Sequence, residues 1–409
     1  MIEWSEQHLM IRDTVRKFVE AEIVPNLEEL EHGDTPPYEV LRKLYSTFGM
    51  DEMARARFDK QIEREERGEK QEKGEQSAGG RGDTVAMSLI PLIELSRFCP
   101  GMVTALGVSM GLTGAALMSK GTVEQKKRWG RDLLTLEKIG AWAITEAGSG
   151  SDAFGSMKST ARRTEEGGYV LNGSKTFITN GPYADTIVFI CKLEEAGVDS
   201  KDRQVLTFVL DSGMKGLTQS KPLRKMGLHS SPTGELFLQD VEVGADRLLG
   251  GSESGSKGRE GAKDTFSMER AGVAAMAYGI IDRCLELSLV YAKERVQFGK
   301  PIGEFQLIQE KLVRMVVAKM NIENMLFRTI ESAEPGRGLT FAEASAMKLY
   351  SARAATEVAL EAVQIHGGNG YMSEYHVEQL CRDAKVLQIY GGTDEIQISQ
   401  IARTLLAES

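Results

Sequence analysis

The stretch GGYVLNGSKTFITNG, residues 167–181, marks the point at which the sequence changes from helical to strand periodicity. Two apolar runs bracket Asn172-Gly173, a pair typical of the turn in a β-hairpin. QVLTFVL (204–210) and GELFLQDVEV (234–243) also alternate or run apolar as strands do. These segments predict a β-rich middle domain, a barrel or sandwich, over residues 139–249.

The segments on both sides of this domain have helical periodicity. HLMIRDTVRKFVEAEIV (8–24) is one example, and it predicts a helical N-terminal domain over residues 1–138. Residues 250–409 should form an antiparallel four-helix bundle, because long helices are joined there by short connections. The predicted helices are 267–296, 304–333, 341–366 and a last one from Thr393. The expected fold class is therefore multi-domain α+β.

A charged insertion interrupts the N-terminal domain at residues 55–83, RARFDKQIEREERGEKQEKGEQSAGGRGD. Glu63 and Arg67 are one of several opposite-charge pairs spaced four residues apart, which is typical of an exposed helix. The glycines at its end favour a loop. We interpret it as a solvated insertion, with a partner-binding element as the alternative.

Composition excludes several classes of function. The formal net charge of −9 over 409 residues argues against general affinity for nucleic acid or anionic membranes. The four cysteines are far apart and the histidines form no ligand cluster, which favours reduced structural thiols and no catalytic metal. We expect no membrane span and no signal peptide, and thus a cytoplasmic location.

AWAITEAGSGSDA, residues 141–153, offers hydroxyl groups and free backbone N–H groups to an anionic or heteroaromatic ligand. Taken alone, it could equally be a simple turn. KTFITNG (175–181), RVQFGKPIGEFQ (295–306), QIHGGNGY (364–371) and QIYGGTDEIQ (388–397) follow it in order. Together these five motifs resemble the flavin-dependent acyl-CoA dehydrogenase family, over nearly the whole chain except the charged insertion.

The resemblance implies FAD bound between the middle domain and the C-terminal helices, and an acyl-CoA substrate. It also implies electron transfer to an electron-transfer flavoprotein and a homo-oligomer, most often a tetramer, in which a neighbouring subunit completes the FAD site. The implied cofactor-binding residues are Thr145, Ser151, Phe177, Ile178, Thr179, Arg295, Gln297, Phe298, Gln306, Gln364, Gly367, Gly368, Thr393 and Glu395.

The catalytic base is not at its commonest position. Many members carry a glutamate where this sequence has Gly391, but a second group, the isovaleryl- and long-chain-type enzymes, carries it on the first long C-terminal helix. FSMERAGVAA (266–275) places Glu269 at that matching position, so Glu269 is the candidate base. Arg270 would contact CoA or steady the carboxylate.

The substrate should lie against Ser151, Arg270, Gly391 and Gly392, with the backbone N–H at Gly391 donating to the thioester oxygen. Two departures from the family pattern affect the CoA contacts. Ser267 stands where an aspartate is common, and GLHSSPTGEL (227–236) stands where an arginine-bearing loop is common. Acyl specificity stays open, with a weak preference for branched or longer chains.

Three alternatives share this fold and flavin: an acyl-CoA oxidase, a flavin monooxygenase-like enzyme and an enoyl-CoA reductase. A non-catalytic family subunit is a further alternative, because the commonest base position is empty. Retention of Glu269 argues against it.

Overall fold

The computed structural model describes residues 3–69, 80–253, 258–334 and 336–407, and within the helix that begins at Gly258 it describes side chains from Arg270 onward. The N-terminal part is helical. Its α-helices are α1 (Glu6–Phe18), α2 (Leu27–His32), α3 (Tyr38–Thr47), α4 (Met50–Glu66), α5 (Gly80–Ser96), α6 (Pro100–Leu106), α7 (Ala115–Lys120), α8 (Val123–Gln125) and α9 (Arg131–Leu134). Shorter helical segments link them, including a π-helical turn over Gly107–Gly114.

The charged insertion is helical where it is described. Helix α4 continues to Glu66 and buries Phe58 and Ile62, and the pair Glu63–Arg67 forms at 3.5 Å. Residues 70–79, where the fraying loop was predicted, lie outside the described residues. The insertion thus begins as a helix with one face against the domain.

One apolar run is longer than the sequence analysis allowed. The helical stretch Pro100–Lys120 has the length and mean hydropathy, 1.5, of a membrane span, but 67% of it is buried inside the protein. It includes Met102 and Leu117, which are fully buried. A core helix of a folded domain has the same properties, so this run by itself carries no membrane assignment.

The middle domain is a mixed sheet of seven strands. They are β1 (Gly140–Ala143), β2 (Thr160–Arg163), β3 (Tyr169–Thr179), β4 (Thr186–Leu193), β5 (Val205–Asp211), β6 (Leu217–Gln219) and β7 (Thr233–Val243). β1 and β2 pair in parallel with successive parts of β4, whose residues face the antiparallel β5 on the other side. β3 then joins β2 to β7, and β6 lies at the far edge. Because every residue of β4 is buried, this strand runs through the core of the domain.

The predicted hairpin at Asn172-Gly173 is wrong. β3 continues through this pair with a shift in its pairing to β7, and the chain reverses earlier, at residues 164–168. The asparagine side chain instead bonds Asp240 on β7, donating to its carboxylate at 3.0 Å and accepting from its backbone at 2.9 Å. A Cβ on Gly173 would lie 2.2 Å from the Ser159 hydroxyl. The glycine serves close packing rather than a turn.

The C-terminal domain is a bundle of long helices with a small hairpin. Its elements are α10 (Gly258–Glu294), β8 (Val296–Gln297), β9 (Lys300–Pro301), α11 (Gln306–Ser332), α12 (Phe341–His366), α13 (Val377–Lys385) and α14 (Asp394–Ala407). α10 begins nine residues earlier than predicted, at Gly258 rather than 267. One apolar cluster joins this bundle to α1 and α5 of the N-terminal domain. The predicted order of helical, β and helical domains is confirmed.

All three domains meet at the loop between β6 and β7, the segment 227–233. Asp383 of α13 accepts a hydrogen bond from the Leu228 backbone N–H. Both ring nitrogens of His229 face carbonyl oxygens at 2.9 Å, those of Glu31 and Lys225. The His229 ring therefore links the N-terminal domain to this loop.

Candidate active site

A bulge in β3 sets the first part of the site. The β3–β7 register shifts between Lys175 and Ile178, so that two residues on β3 occupy the space of one. Phe177 at this bulge has φ of 58° and is 68% exposed. An aromatic residue in left-handed backbone is uncommon and costs about 1 kcal/mol, so something must hold it there. Next to it, Ile178 is buried in the sheet core and can offer only its backbone, while Thr179 is half-buried.

The loop after β1 lies beside this bulge. Thr145 lies two residues after the end of β1, and its carbonyl accepts the Thr176 N–H at 3.0 Å. Beyond it the chain makes a tight turn, in which Gly148 and Gly150 have open space where a Cβ would be. Ser151 is exposed on the same loop. Thr145, Phe177 and Thr179 are therefore brought together on one side of the sheet, next to an open glycine loop that suits an anionic or polar group.

Two buried residues that the sequence analysis missed hold this region. Lys175 donates to the Ile144 carbonyl at 3.0 Å and to Glu146 at 2.8 Å. On the other side of the bulge, fully buried Asn180 donates to the carbonyls of Ala105 and Gly140, both at 2.9 Å. A lone lysine within an apolar strand was the available signal for Lys175. Asn180 has the local pattern of an Asn-Gly turn, and nothing in the sequence indicated its contacts with the N-terminal domain.

The hairpin after α10 presents a second set of the expected residues. Its turn is made by Phe298 and Gly299, with φ of 53° and 80°, as a tight two-residue hairpin requires. Phe298 is 96% exposed, and Arg295 and Gln297 on the same hairpin are exposed as well. Gln306, at the start of α11, is also exposed. The Phe298 ring meets only the edge of the Phe305 ring, at 6.1 Å between centroids, and so large an exposed aromatic surface suggests a contact with another molecule.

The end of α12 lies next to that hairpin. Tyr291, near the end of α10, stacks on His366 at 4.3 Å between ring centroids and accepts a hydrogen bond from Asn369 at 3.1 Å. Gln364, Gly367 and Gly368 lie at this corner, where both glycines are exposed. No neighbouring atom lies within 4 Å of a Cβ built on either glycine, so the backbone there is open to a ligand. The two sets of residues therefore share one end of the bundle.

The glycine pair that precedes α14 is held firmly from one side. Gly391 and Gly392 have φ of 62° and 89°, which only glycine adopts without strain. The Gln397 side chain donates to both carbonyls at 3.0 Å. Buried Lys348 adds a third donor at 2.8 Å to the Gly392 carbonyl. Because the carbonyls point at these donors, the peptide groups have a fixed orientation.

Thr393 caps α14, since its hydroxyl accepts from the Ile396 N–H at 3.4 Å. Glu395 is exposed, and a backbone hydrogen bond and the Thr393 hydroxyl lower its pKa below the usual range. Asp394 is buried, with Arg353 donating to it at 2.9 Å. A carboxylate committed to a guanidinium is a poor general base. Neither acid competes well for that role.

Position 269 lies on α10, the helix that contacts the residue before the glycine pair. The Glu269 side chain is outside the described ones, but its backbone is helical. Met276 is two turns further on the same helix face, and its sulfur accepts a hydrogen bond from the Tyr390 hydroxyl at 3.3 Å. Tyr390 directly precedes Gly391. Between them on α10, Gly272 leaves open space. The helix that carries the candidate base and the segment that holds the glycine pair are therefore in contact.

Arg270 points away from a direct role at the substrate. It is 3% exposed, and its guanidinium donates to Ser345 at 3.2 Å and to Gln400 at 2.8 Å. The same group lies 4.1 Å from the centre of the Phe341 ring. These contacts tie α10 to α12 and α14. Arg270 therefore fixes the helix that carries position 269. This arrangement agrees better with the expectation that Arg270 steadies the carboxylate than with the expectation that it contacts CoA.

The fixed glycine pair and the open glycine loop beside the exposed Phe177 are features that suit a bound polar cofactor. Family models for the acyl-CoA dehydrogenase N-terminal, middle and C-terminal domains match residues 5–57 and 73–137, 141–241 and 256–406. The chain belongs to the acyl-CoA dehydrogenase family. The predictions of family and oxidoreductase class are confirmed.

Curated relatives align over nearly the whole chain. The 3-(aryl)acrylate reductase of Clostridium sporogenes is 35% identical, covering 98% of this chain and 99% of its own. An acyl-CoA dehydrogenase of Bacillus subtilis is also 35% identical, covering 98% of both chains. The CarC subunit of the caffeyl-CoA reductase–Etf complex of Acetobacterium woodii is 33% identical, covering 98% of this chain and 99% of its own.

Solved structures agree. Butyryl-CoA dehydrogenase of Megasphaera elsdenii superposes with a TM-score of 0.85 at 32% identity, covering 99% of this chain and 100% of its own. Glutaryl-CoA dehydrogenase of Mycobacterium smegmatis, in complex with FADH2, gives 0.83 at 26% identity over 98% of this chain and 95% of its own. The FAD prediction is confirmed at the level of the family. The open glycines and the exposed Phe177 fit such a group.

Proposed function

We propose that the protein is an FAD-dependent acyl-CoA dehydrogenase that converts an acyl-CoA thioester to the trans-2-enoyl-CoA. The observation that carries this proposal is the Met276–Tyr390 contact, which joins the helix of position 269 to the segment of Gly391. In a family that needs one carboxylate at the substrate, the chain has glycine at one position and glutamate at the other. Glu269 takes the α-proton, and the reaction depends on it.

Each residue has a stated task. The α-proton of a thioester is weakly acidic, so the base must be screened from water and the developing enolate charge must be stabilised. The Gly391 N–H donates to the thioester oxygen, in a segment whose orientation Gln397 fixes. Thr145 and Thr179 would orient the cofactor, and Phe177 would pack on it. Bound FAD would accept the hydride from the β-carbon.

The site requires a second copy of the chain. A helix rises about 1.5 Å per residue, so the Arg295 hairpin lies about 39 Å from position 269 along α10. A cofactor whose reactive ring is at position 269 is therefore out of reach of the hairpin at the far end of the same helix. Val313, Val316, Val317 and Met320 form an exposed apolar stripe on α11. We propose that this stripe packs against another copy and that the hairpin completes the partner's site.

The electron partner is proposed to be an electron-transfer flavoprotein. One relative is a subunit of a reductase–Etf complex, and a structure of the electron transferring flavoprotein of Acidaminococcus fermentans includes a chain that superposes with a TM-score of 0.78. The second candidate function is the opposite direction, reduction of an α,β-unsaturated thioester. The observation that favours this second candidate is that two relatives are named as reductases, an arylacrylate reductase and a caffeyl-CoA reductase.

One anaerobic titration separates these functions. The purified flavoprotein is mixed with saturated acyl-CoA esters of short, branched, long and aryl-substituted chains, and the flavin absorbance near its visible maximum is followed. Bleaching by a saturated ester supports the dehydrogenase. Failure of all saturated esters, with reoxidation of the reduced protein by an enoyl- or arylacryloyl-CoA, supports the reductase. Peroxide formed in air in proportion to substrate would indicate an oxidase, and a protein that binds no flavin would contradict the proposal.

A further inference from the structure

A buried ion pair joins β3 to the loop after β1, directly behind the exposed Phe177. The Lys175 side chain is fully buried and that of Glu146 nearly so. The Lys175 ammonium donates to Glu146 at 2.8 Å and to the Ile144 carbonyl at 3.0 Å. Glu146 also accepts from the backbone N–H groups of Lys158 at 2.7 Å and Ser159 at 3.0 Å. The pair thus ties three separate segments together.

Burial makes this arrangement costly unless every group is paired. Burial lowers the pKa of Lys175, and Glu146 opposes that effect. Burial alone would raise the pKa of Glu146, but the Lys175 charge and the hydrogen bonds outweigh it, so this pKa is lowered. A buried pair is often no more stabilising than apolar residues of the same shape. The retained charges therefore call for a reason other than stability.

The geometry supplies that reason. The residues on either side of the pair are those of the candidate site: Thr145 precedes Glu146, and Thr176 and Phe177 follow Lys175. The hydrogen bond from the Thr176 N–H to the Thr145 carbonyl, at 3.0 Å, joins β3 to the loop after β1 beside the ion pair. The β3 register shift starts at Lys175, and within it Phe177 turns outward in left-handed backbone. Without a fixed Lys175, an ordinary strand would direct Phe177 differently.

We propose that Lys175 and Glu146 are positioning residues, a lock that holds the β3 bulge so that Phe177, Thr179 and Thr145 are in place for the flavin before it binds. This proposal rests on the proposed function, since it assumes that the flavin lies at this bulge. The pair touches neither substrate nor cofactor and acts through the neighbouring residues. Its loss should reduce the fraction of molecules in the binding-competent conformation, and apparent affinity falls by that fraction.

The test compares three variants as apoproteins. Lys175→Met removes the ammonium, Glu146→Gln keeps the shape of the carboxylate without its charge, and Lys126→Met is the control. Lys126 is also buried and pairs with a glutamate, Glu65, at 2.7 Å, but lies in the N-terminal domain. The Kd of FAD is measured by titration, together with the melting temperature and the visible circular dichroism of bound flavin. KM and kcat follow for any variant that binds.

We expect the Kd of FAD to rise at least about tenfold in Lys175→Met and to rise measurably in Glu146→Gln, with an altered flavin circular dichroism spectrum. Lys126→Met should have a lower melting temperature than the wild type but the same Kd of FAD and the same flavin spectrum. If Lys175→Met does not fold, Glu146→Gln decides the outcome. Wild-type Kd and spectrum in Glu146→Gln, or in a folded Lys175→Met, would overturn the lock. A wild-type protein that binds no FAD would instead overturn the proposed function.

Discussion

Replacing Glu31 by glutamine should change how the stability of this protein depends on pH. Glu31 is 5% exposed at the junction of the three domains, with His229 and Arg382 nearby and buried Asp383 as a second carboxyl group. Burial, followed by the Asp383 charge, raises the pKa of Glu31 to about 8. Two carboxyl groups at one dry site cannot both ionise easily. The folded protein therefore keeps a proton that the unfolded chain releases.

The sign follows from linkage. Below the ordinary glutamate pKa of 4.5 both states hold the proton, and there is no loss of stability. As pH rises from there to about 8, only the folded state holds it, so the free energy of unfolding falls. At about 1.4 kcal/mol per pH unit, the loss reaches at most about 5 kcal/mol. Burial also lowers the pKa of Lys225 to about 8, but this lysine is protonated in both states below that value, so it adds no pH dependence to the stability over the range in which Glu31 acts.

The assay is thermal unfolding of the flavin-bound protein between pH 5 and pH 8.5. Glu31→Gln cannot ionise, so its melting temperature should fall less over this range than that of the wild type, by several degrees. Glu28→Gln is the matched control, because Glu28 lies on the same helix but is exposed. Parallel pH profiles for wild type and Glu31→Gln would refute the reasoning, since they would mean that Glu31 gives up its proton normally in the folded state.

Three further predictions follow from the packing and the site. Gly173→Ala should cost about 1–3 kcal/mol of stability, because its Cβ would lie 2.2 Å from the Ser159 hydroxyl, and a second change Ser159→Gly should recover part of it in the same denaturant melt. Val317→Glu places a charge on the exposed apolar stripe of α11. Light scattering should then show smaller assemblies, and titration should show a weaker affinity for FAD. Dissociation of the assembly with unchanged FAD affinity would show that the hairpin does not complete a partner's site. Gly391→Glu in a Glu269→Ala background should restore some anaerobic flavin bleaching. The recovery should be partial, because a glutamate at φ of 62° carries about 1 kcal/mol of backbone strain. No gain in a folded, flavin-bound variant would show that the two positions do not face the same substrate atom.

The sequence indicated the architecture well because apolar periodicity reports burial directly. Val273, Ala277, Ile280 and Cys284, which are apolar residues at helical spacing in the sequence, are all buried on one face of α10. Turns were harder, because a pair such as Asn172-Gly173 can meet a close contact as well as a reversal. The structure showed that the glycine there is required by Ser159, which no local pattern contains.

The site could be predicted only in its exposed parts. Motifs with the family pattern pointed to Phe177, Arg295 and Gly367, whose side chains or backbone are open. They did not point to Lys175 or Asn180, which hold those parts from inside through contacts with carbonyls distant in sequence. Long-range hydrogen bonds leave no periodic signal, so they had to come from the structure.

The central claim is that Glu269 is the base that replaces the missing side chain at Gly391. Its most direct test is the rate of anaerobic flavin bleaching by a reactive acyl-CoA in Glu269→Gln, beside Glu52→Gln, an exposed residue of α4, as the control. Both variants should bind FAD and the control should bleach at the wild-type rate. Glu269→Gln should bleach at least about a hundredfold more slowly, as expected when a general base is lost. Bleaching of Glu269→Gln at the wild-type rate would contradict the account.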